Sequence, residues 1–109
     1  MHELAELRSL ALHREISRRL QGEGWIVERA LQRVCEAQRA GRIHPEYAEA
    51  WKAWKALLEG PTAALSCAIE DPGERGKALR QTTPFTFVVP PRERWRIWSR
   101  SRTQWETGR

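Results

Sequence analysis

His44-Pro45-Glu46-Tyr47-Ala48-Glu49-Ala50-Trp51-Lys52-Ala53-Trp54-Lys55-Ala56-Leu57-Leu58-Glu59-Gly60-Pro61 is the stretch whose signals decide the architecture. A proline suits the first position of a helix, because its φ is already helical and its missing N–H has no partner to lose there. Pro45 therefore predicts a helix start, with His44 as the residue that caps it. Glu46 and Glu49 fall in the early turns and Lys52 and Lys55 later, the order a helix dipole favours. Tyr47, Trp51, Trp54 and Leu58 recur at helical spacing and are expected to form the buried face. Gly60-Pro61 then stops this helix and starts the next.

The same punctuation divides the chain on both sides. Downstream, a short fourth helix is expected from Pro61 to about Glu70, with Leu65, Ala68 and Ile69 inward. Asp71-Pro72-Gly73 is a turn by composition, followed by a fifth helix from about Glu74 to Gln81 anchored by Leu79. Upstream, a second helix begins near Trp25 and presents Val27, Leu31, Val34, Cys35 and Gln38 as one face, with Arg29, Arg33, Glu36 and Arg39 opposite. Gly41 stands where its C-terminal cap would. Gly22-Glu23-Gly24 separates it from a first helix running from Glu3 to about Gln21, striped by Leu12, Ile16 and Leu20 and, at an offset, by Leu4, Leu7 and Ala11.

Between Thr82 and Val89 the helical period fails. Phe85, Phe87 and Val89 alternate with Thr86 and Val88 in a strand-like manner, yet prolines flank the run and no second strand exists to pair with it. An extended strap over residues 84–91 is expected, lying across the helices. Pro91 then opens a final helix over about 92–105. The expectation is an all-α, compact bundle of about five or six short helices in one domain spanning residues 1–109, of which 1–83 is the body.

Charge is distributed unevenly along this plan. The chain has 109 residues and a net charge of +5. Residues 84–109 carry six arginines against Glu93 and Glu106, so the tail is the cation and the body is nearly neutral. The absence of asparagine and the preference for arginine over lysine are compatible with a thermophilic or GC-rich source. Cys35 and Cys67 stand apart with no histidine at ligand spacing, and read as free thiols. The N-terminus is acidic where a signal peptide is basic, and the longest apolar run, Ala63 to Ile69, is too short to span a bilayer. A cytoplasmic protein with no membrane association is expected.

The tail is the candidate contact surface. On a helical wheel Trp95, Trp98 and Trp105 share one narrow arc with Arg102, while Arg96 and Arg100 occupy an adjoining flank. One outcome folds this arc onto Trp51 and Trp54 as core. A second presents it to another protein or to a second copy of the chain, with Phe85, Phe87, Arg92, Arg94, Trp95, Arg96, Trp98, Arg100, Arg102 and Trp105 as contact residues. A third uses the arginines for phosphates and the indoles for bases. A helix-turn-helix drawn through Ala37 and Gly41 would turn Glu46 and Glu49 toward phosphates, which argues against it. No metal site, cofactor motif or catalytic constellation is present: His13 and Glu15, two apart on a helix, point to different sides.

Ala78-Leu79-Arg80-Gln81-Thr82-Thr83-Pro84-Phe85 followed by Pro91-Arg92-Glu93-Arg94-Trp95-Arg96-Ile97-Trp98 resembles the C-terminal part of a group of small bacterial helical proteins. In that group an LRQ-x-(S/T)PF segment precedes a P-x-ERW helix. His13-Arg14-Glu15-Ile16 and Tyr47-Ala48-Glu49-Ala50-Trp51 are similar to it as well. Phe87-Val88-Val89 departs from the group, which has a smaller, glycine-containing segment there. The resemblance brings no catalytic residues. It implies an antitoxin-like or accessory partner of a co-encoded, nucleotidyltransferase-type protein. The expected function is therefore a non-enzymatic protein-binding module without cofactor; the alternative is a small basic DNA- or RNA-binding protein acting through the final helix.

Overall fold

The computed structural model describes residues 2–108, apart from the His2 side chain. Six α-helices follow one another: α1 (His2–Leu20), α2 (Trp25–Arg39), α3 (Ala48–Glu59), α4 (Thr62–Ile69), α5 (Glu74–Gln81) and α6 (Pro91–Thr107), with a 3₁₀ turn at Pro45–Tyr47. No strand occurs among the described residues. This is the all-α bundle expected, and its boundaries fall where proline and glycine place them. Pro45 and Pro91 open their elements, and the His44 ring accepts a hydrogen bond from the Glu46 N–H as a cap. Gly41 ends α2 with φ +65°, and the Arg42 and Gly41 N–H groups return to the Ala37 and Gln38 carbonyls. That closure needs the left-handed conformation, which glycine adopts without penalty.

α1 is the hub, packing on α4 and α5 on one side and along α6 on the other, while α3 joins α2 to α4 and α5. Ile16, Leu20, Ile26, Ala30, Val34, Trp54, Leu58, Leu65, Ile69 and Leu79 form one continuous core with Phe85, Val88 and Val89. Two faces differ from the sequence expectation. On α2 the buried row is Ile26, Ala30 and Val34, with Val27 and Leu31 half-buried and Gln38 exposed, so the helix is rotated about one residue from its expected setting. A fully buried isoleucine and a close-packed alanine outweigh a row that would have buried the Gln38 amide. On α3, Trp54 and Leu58 are buried and Trp51 half-buried, whereas Tyr47 belongs to the preceding 3₁₀ turn and is exposed, its ring edge-on to His44.

The segment joining α5 to α6 is non-helical but not extended throughout. The Val88 N–H bonds to the Phe85 carbonyl, a turn that lifts Thr86 and Phe87 outward and drives Phe85, Val88 and Val89 into the core. The alternation of Phe85, Phe87 and Val89 is thereby broken, because a four-residue turn places residues three apart, not two apart, on one side.

Two buried polar groups tie these parts together, His13 holding this segment to α1 and Arg80 holding α5 to the end of α4. His13 is 1% exposed; its Nδ1 donates to the Ser9 carbonyl and its Nε2 accepts from the Thr83 hydroxyl. Thr83 in turn accepts from the Phe85 N–H. Arg80 is 4% exposed and its Nη1 donates to the Ile69 and Asp71 carbonyls, satisfying the C-terminal end of α4. A guanidinium there is favoured by the negative end of the helix dipole. Burial lowers its pKa, while Glu6 and Asp71 act in the opposite direction.

Gly76 makes this approach possible. A Cβ built on it would lie 1.9 Å from the Asp71 carbonyl oxygen. Gly76→Ala is therefore expected to destabilise the protein by about 1–3 kcal/mol, the usual cost of overpacking, despite alanine's better helix propensity. A urea midpoint equal to or above that of the wild type would refute this.

Candidate functional site

The final helix is held by its inner row. Glu93, Ile97 and Ser101 are spaced i, i+4, i+8 and face α1; Ile97 packs against the core and Ser101 is 2% exposed. The Ser101 hydroxyl donates back to the Ile97 carbonyl and so is not stranded in the seam. Arg19 sets the rotation of the helix. Its guanidinium pairs with Glu15 and with Glu93 and donates to the Val88 carbonyl, joining α1, the turn and the first turn of α6. These pairs raise the Arg19 pKa, and hydrogen bonds from Arg18 and Arg19 lower that of Glu15 against the opposing effect of desolvation. Arg8 lies over the Trp98 ring at 5.4 Å, so α6 runs antiparallel to α1.

With Glu93, Ile97 and Ser101 turned inward, the indole arc is centred roughly 115° from the middle of that row at 100° per residue. Trp105, at its inner edge, is half-buried, Trp98 is 43% exposed and Trp95 is 67% exposed. The outcome in which the indoles complete the core against Trp51 and Trp54 is therefore not what forms. Phe85, not the final helix, packs edge-on against Trp54, with ring centroids 5.5 Å apart.

The residues singled out from sequence thus separate into three groups and Phe87. Phe85 is 1% exposed and leaves the contact surface for the core. Trp95, Trp98, Trp105 and Arg102, the last paired with Glu106, form the indole flank of α6. Arg92, Arg96 and Arg100 lie on the opposite flank, exposed, and with the half-buried Arg94 they make no side-chain hydrogen bond or ion pair among the described residues. Phe87 stands apart from all three. It is half-buried against Trp25 at 5.9 Å and flanked by Arg29 and Arg33, with Arg33 also reaching Thr86.

Trp25, Arg8, Arg14 and Arg18 were not legible as surface partners. Arg29 and Arg33 were legible only as the polar side of a helix. A helical wheel treats each element alone, whereas these groups become neighbours through tertiary contact.

Among the described residues, no group of three or more histidine, cysteine, aspartate or glutamate side chains could hold a metal ion, and no helix is long and apolar enough to cross a membrane. Cys35 and Cys67 are unbridged, half-buried and exposed respectively. His13 is engaged at both ring nitrogens, and Glu15 is committed to Arg18 and Arg19. No family model matches the chain, and no curated protein or solved structure shows a significant match.

Proposed function

We propose that this chain is a non-enzymatic binding protein whose contact surface is the indole flank of α6, with Trp95 and Trp98 as anchors and Arg94 and Arg102 beside them. The observation that carries the reading is the 67% exposure of Trp95, next to Trp98 at 43%, in a molecule whose core closes without either. Burying an indole exposed to that extent is worth on the order of 2–4 kcal/mol from its apolar area. Tryptophan and arginine are also the residues that dominate interface energetics. The partner that fits is a protein with an apolar groove rimmed by acidic side chains. The resemblance to small bacterial helical proteins makes a co-encoded protein the first to try, with this chain as its antitoxin-like or accessory member.

The test is capture from the native host with nuclease present, comparing wild type with Trp95→Ala/Trp98→Ala, followed by titration of the purified pair. Deleting the tail after Thr83 would not serve as a control, because it also removes Phe85, Val88 and Val89 from the core. A stoichiometric protein lost by the double variant, at least about 100-fold in the purified pair, is expected, since two hot-spot truncations of about 2 kcal/mol each exceed that. The double variant should stay folded and lose no more than about 1 kcal/mol of stability, chiefly through the Arg8–Trp98 contact. Equal capture by both proteins would sink the reading. A wild-type dimer by light scattering that the double variant abolishes would assign the same flank to self-association instead.

A further inference from the structure

The opposite flank of α6 carries a different chemistry, independent of the indole surface. Arg92, Arg96 and Arg100 recur every four residues, about 6 Å apart along the axis at 1.5 Å per residue. Across the α1–α6 seam, Arg14 and Arg18 form a second row with the same spacing on α1. Arg14, Arg18 and Arg100 line one cleft between the two helices, together with the buried Ser101 and the exposed Gln104. Its carboxylate, Glu15, is already engaged by Arg18 and Arg19, and Glu93 at the end of the seam is paired with Arg19. Arg14 and Arg100 have neither an acid nor a hydrogen-bond acceptor of their own among the described residues.

This cleft was hidden in the sequence. The body counts as nearly neutral when summed, but its charge is not spread evenly over its surface. α1 turns Arg14 and Arg18 outward beside α6, while its own Glu3 and Glu6 line a different cleft with Pro72, Lys77 and Arg80, and Glu46, Glu49, Glu59 and Glu74 belong to α3, α5 and the turn before α3. Like charges crowded around a concave surface repel one another unless an anion lies between them. The geometry also selects the kind of anion. Two packed antiparallel helices have axes about 8–10 Å apart, so the trough between them is too narrow to admit a duplex and has no protruding element to enter a groove. Two parallel rows of guanidinium groups spaced by helical turns instead match repeated phosphates along one strand, each capable of bidentate contact.

We propose that the Arg14–Arg18–Arg100 cleft, extended by Arg92 and Arg96, is a binding site for the phosphodiester backbone of single-stranded nucleic acid. Binding there is sequence-tolerant, because the cleft reads phosphates and places no aromatic ring against the bases.

The experiment is fluorescence anisotropy with a labelled oligodeoxythymidylate 20-mer, titrated at several salt concentrations from about 50 mM upward. The proteins compared are wild type, Arg14→Gln/Arg100→Gln and Trp95→Ala/Trp98→Ala. Neither exposed arginine carries a structural bond, so the arginine variant should fold as the wild type does, which circular dichroism verifies. Wild-type affinity should fall log-linearly with salt at about −0.7 per phosphate contacted, and the arginine variant should lose about 1.4 from that slope. The indole variant should bind the strand as the wild type does, which separates this site from the protein-binding surface. Absence of binding at 50 mM salt, an unchanged slope in the arginine variant, or tighter binding of the corresponding 20-base-pair duplex would each overturn the proposal. So would loss of strand binding in the indole variant with retention in the arginine variant.

Discussion

Trp54→Ala should cost about 3–5 kcal/mol of folding free energy, the range for truncating a buried tryptophan. Trp54 is the largest fully buried side chain, and its place at the junction of α3, α5 and the turn explains the size of the effect. Its ring meets Phe85 at an interplanar angle of 82°, the edge-to-face arrangement that aromatic quadrupoles favour. Its Nε1–H donates both to the Leu79 carbonyl, at the end of α5, and to the Thr82 hydroxyl. Truncation opens a cavity and removes a donor from both acceptors. Small domains have only about 5–15 kcal/mol of stability, so roughly a fifth or more is lost. Trp54→Phe keeps most of the volume and should lose about 0.5–1.5 kcal/mol, for the indole N–H bond alone, because the Leu79 carbonyl still accepts from the Thr82 N–H and hydroxyl. Urea unfolding followed by circular dichroism measures both. A loss below about 1 kcal/mol in the alanine variant would show that the helices do not depend on this junction.

Acidification should weaken the fold before its carboxylates titrate. Burial, aided by the positive charge of Arg80 and opposed by the hydrogen bond to the Ser9 carbonyl, lowers the His13 pKa from 6.5 to about 4. Above pH 6.5 the ring is neutral in both folded and unfolded chains and contributes no pH dependence. Below that value the unfolded chain takes up a proton that the folded one refuses, so stability falls until the folded ring protonates near pH 4. The loss reaches about 3 kcal/mol across the window. Protonation of Nε2 would also turn the acceptor of the Thr83 hydroxyl into a second donor.

Glu15 adds a separate effect at lower pH. Its pKa is depressed from 4.5, chiefly by the Arg18 hydrogen bond, so its contribution is present above that value and lost below it. The interval from pH 6.5 down to about 5 therefore belongs to His13. Melting temperatures of wild type and His13→Gln measured across pH 7 to 4 should converge as pH falls, with the variant less stable at neutrality. A constant difference between them would remove His13 as the cause.

Punctuation was the most legible level of this protein. Pro45, Gly60, Pro61, Asp71-Pro72-Gly73 and Pro91 act through backbone geometry that needs no neighbour, and the element boundaries follow them to within a residue, although Pro45 opens a 3₁₀ turn and α3 proper begins three residues later at Ala48. Rotation was less legible. The α2 face was displaced because apolar residues surround more than one side of that helix, and the partner across the interface selects among them. Arg80 was unreadable as a core residue, since a buried guanidinium depends on two carbonyls at the end of a different helix and on the lack of a Cβ at Gly76.

The candidate surface divides in the same way. That the tail is cationic and tryptophan-rich, with its indoles on one arc, is a property of composition and of 3.6 residues per turn, and both are local. Whether that arc is covered is not local. It depends on Arg19, which draws Glu93 and the Val88 carbonyl to α1 and so turns Ile97 and Ser101 inward in place of Trp95. The pairing of Arg14 and Arg18 with Arg100 likewise arises only when residues more than eighty positions apart are brought side by side. The chain's order of residues sets each helix and the chemistry it carries; the packing of helices against one another decides which of that chemistry reaches solvent, because each face competes for the same core.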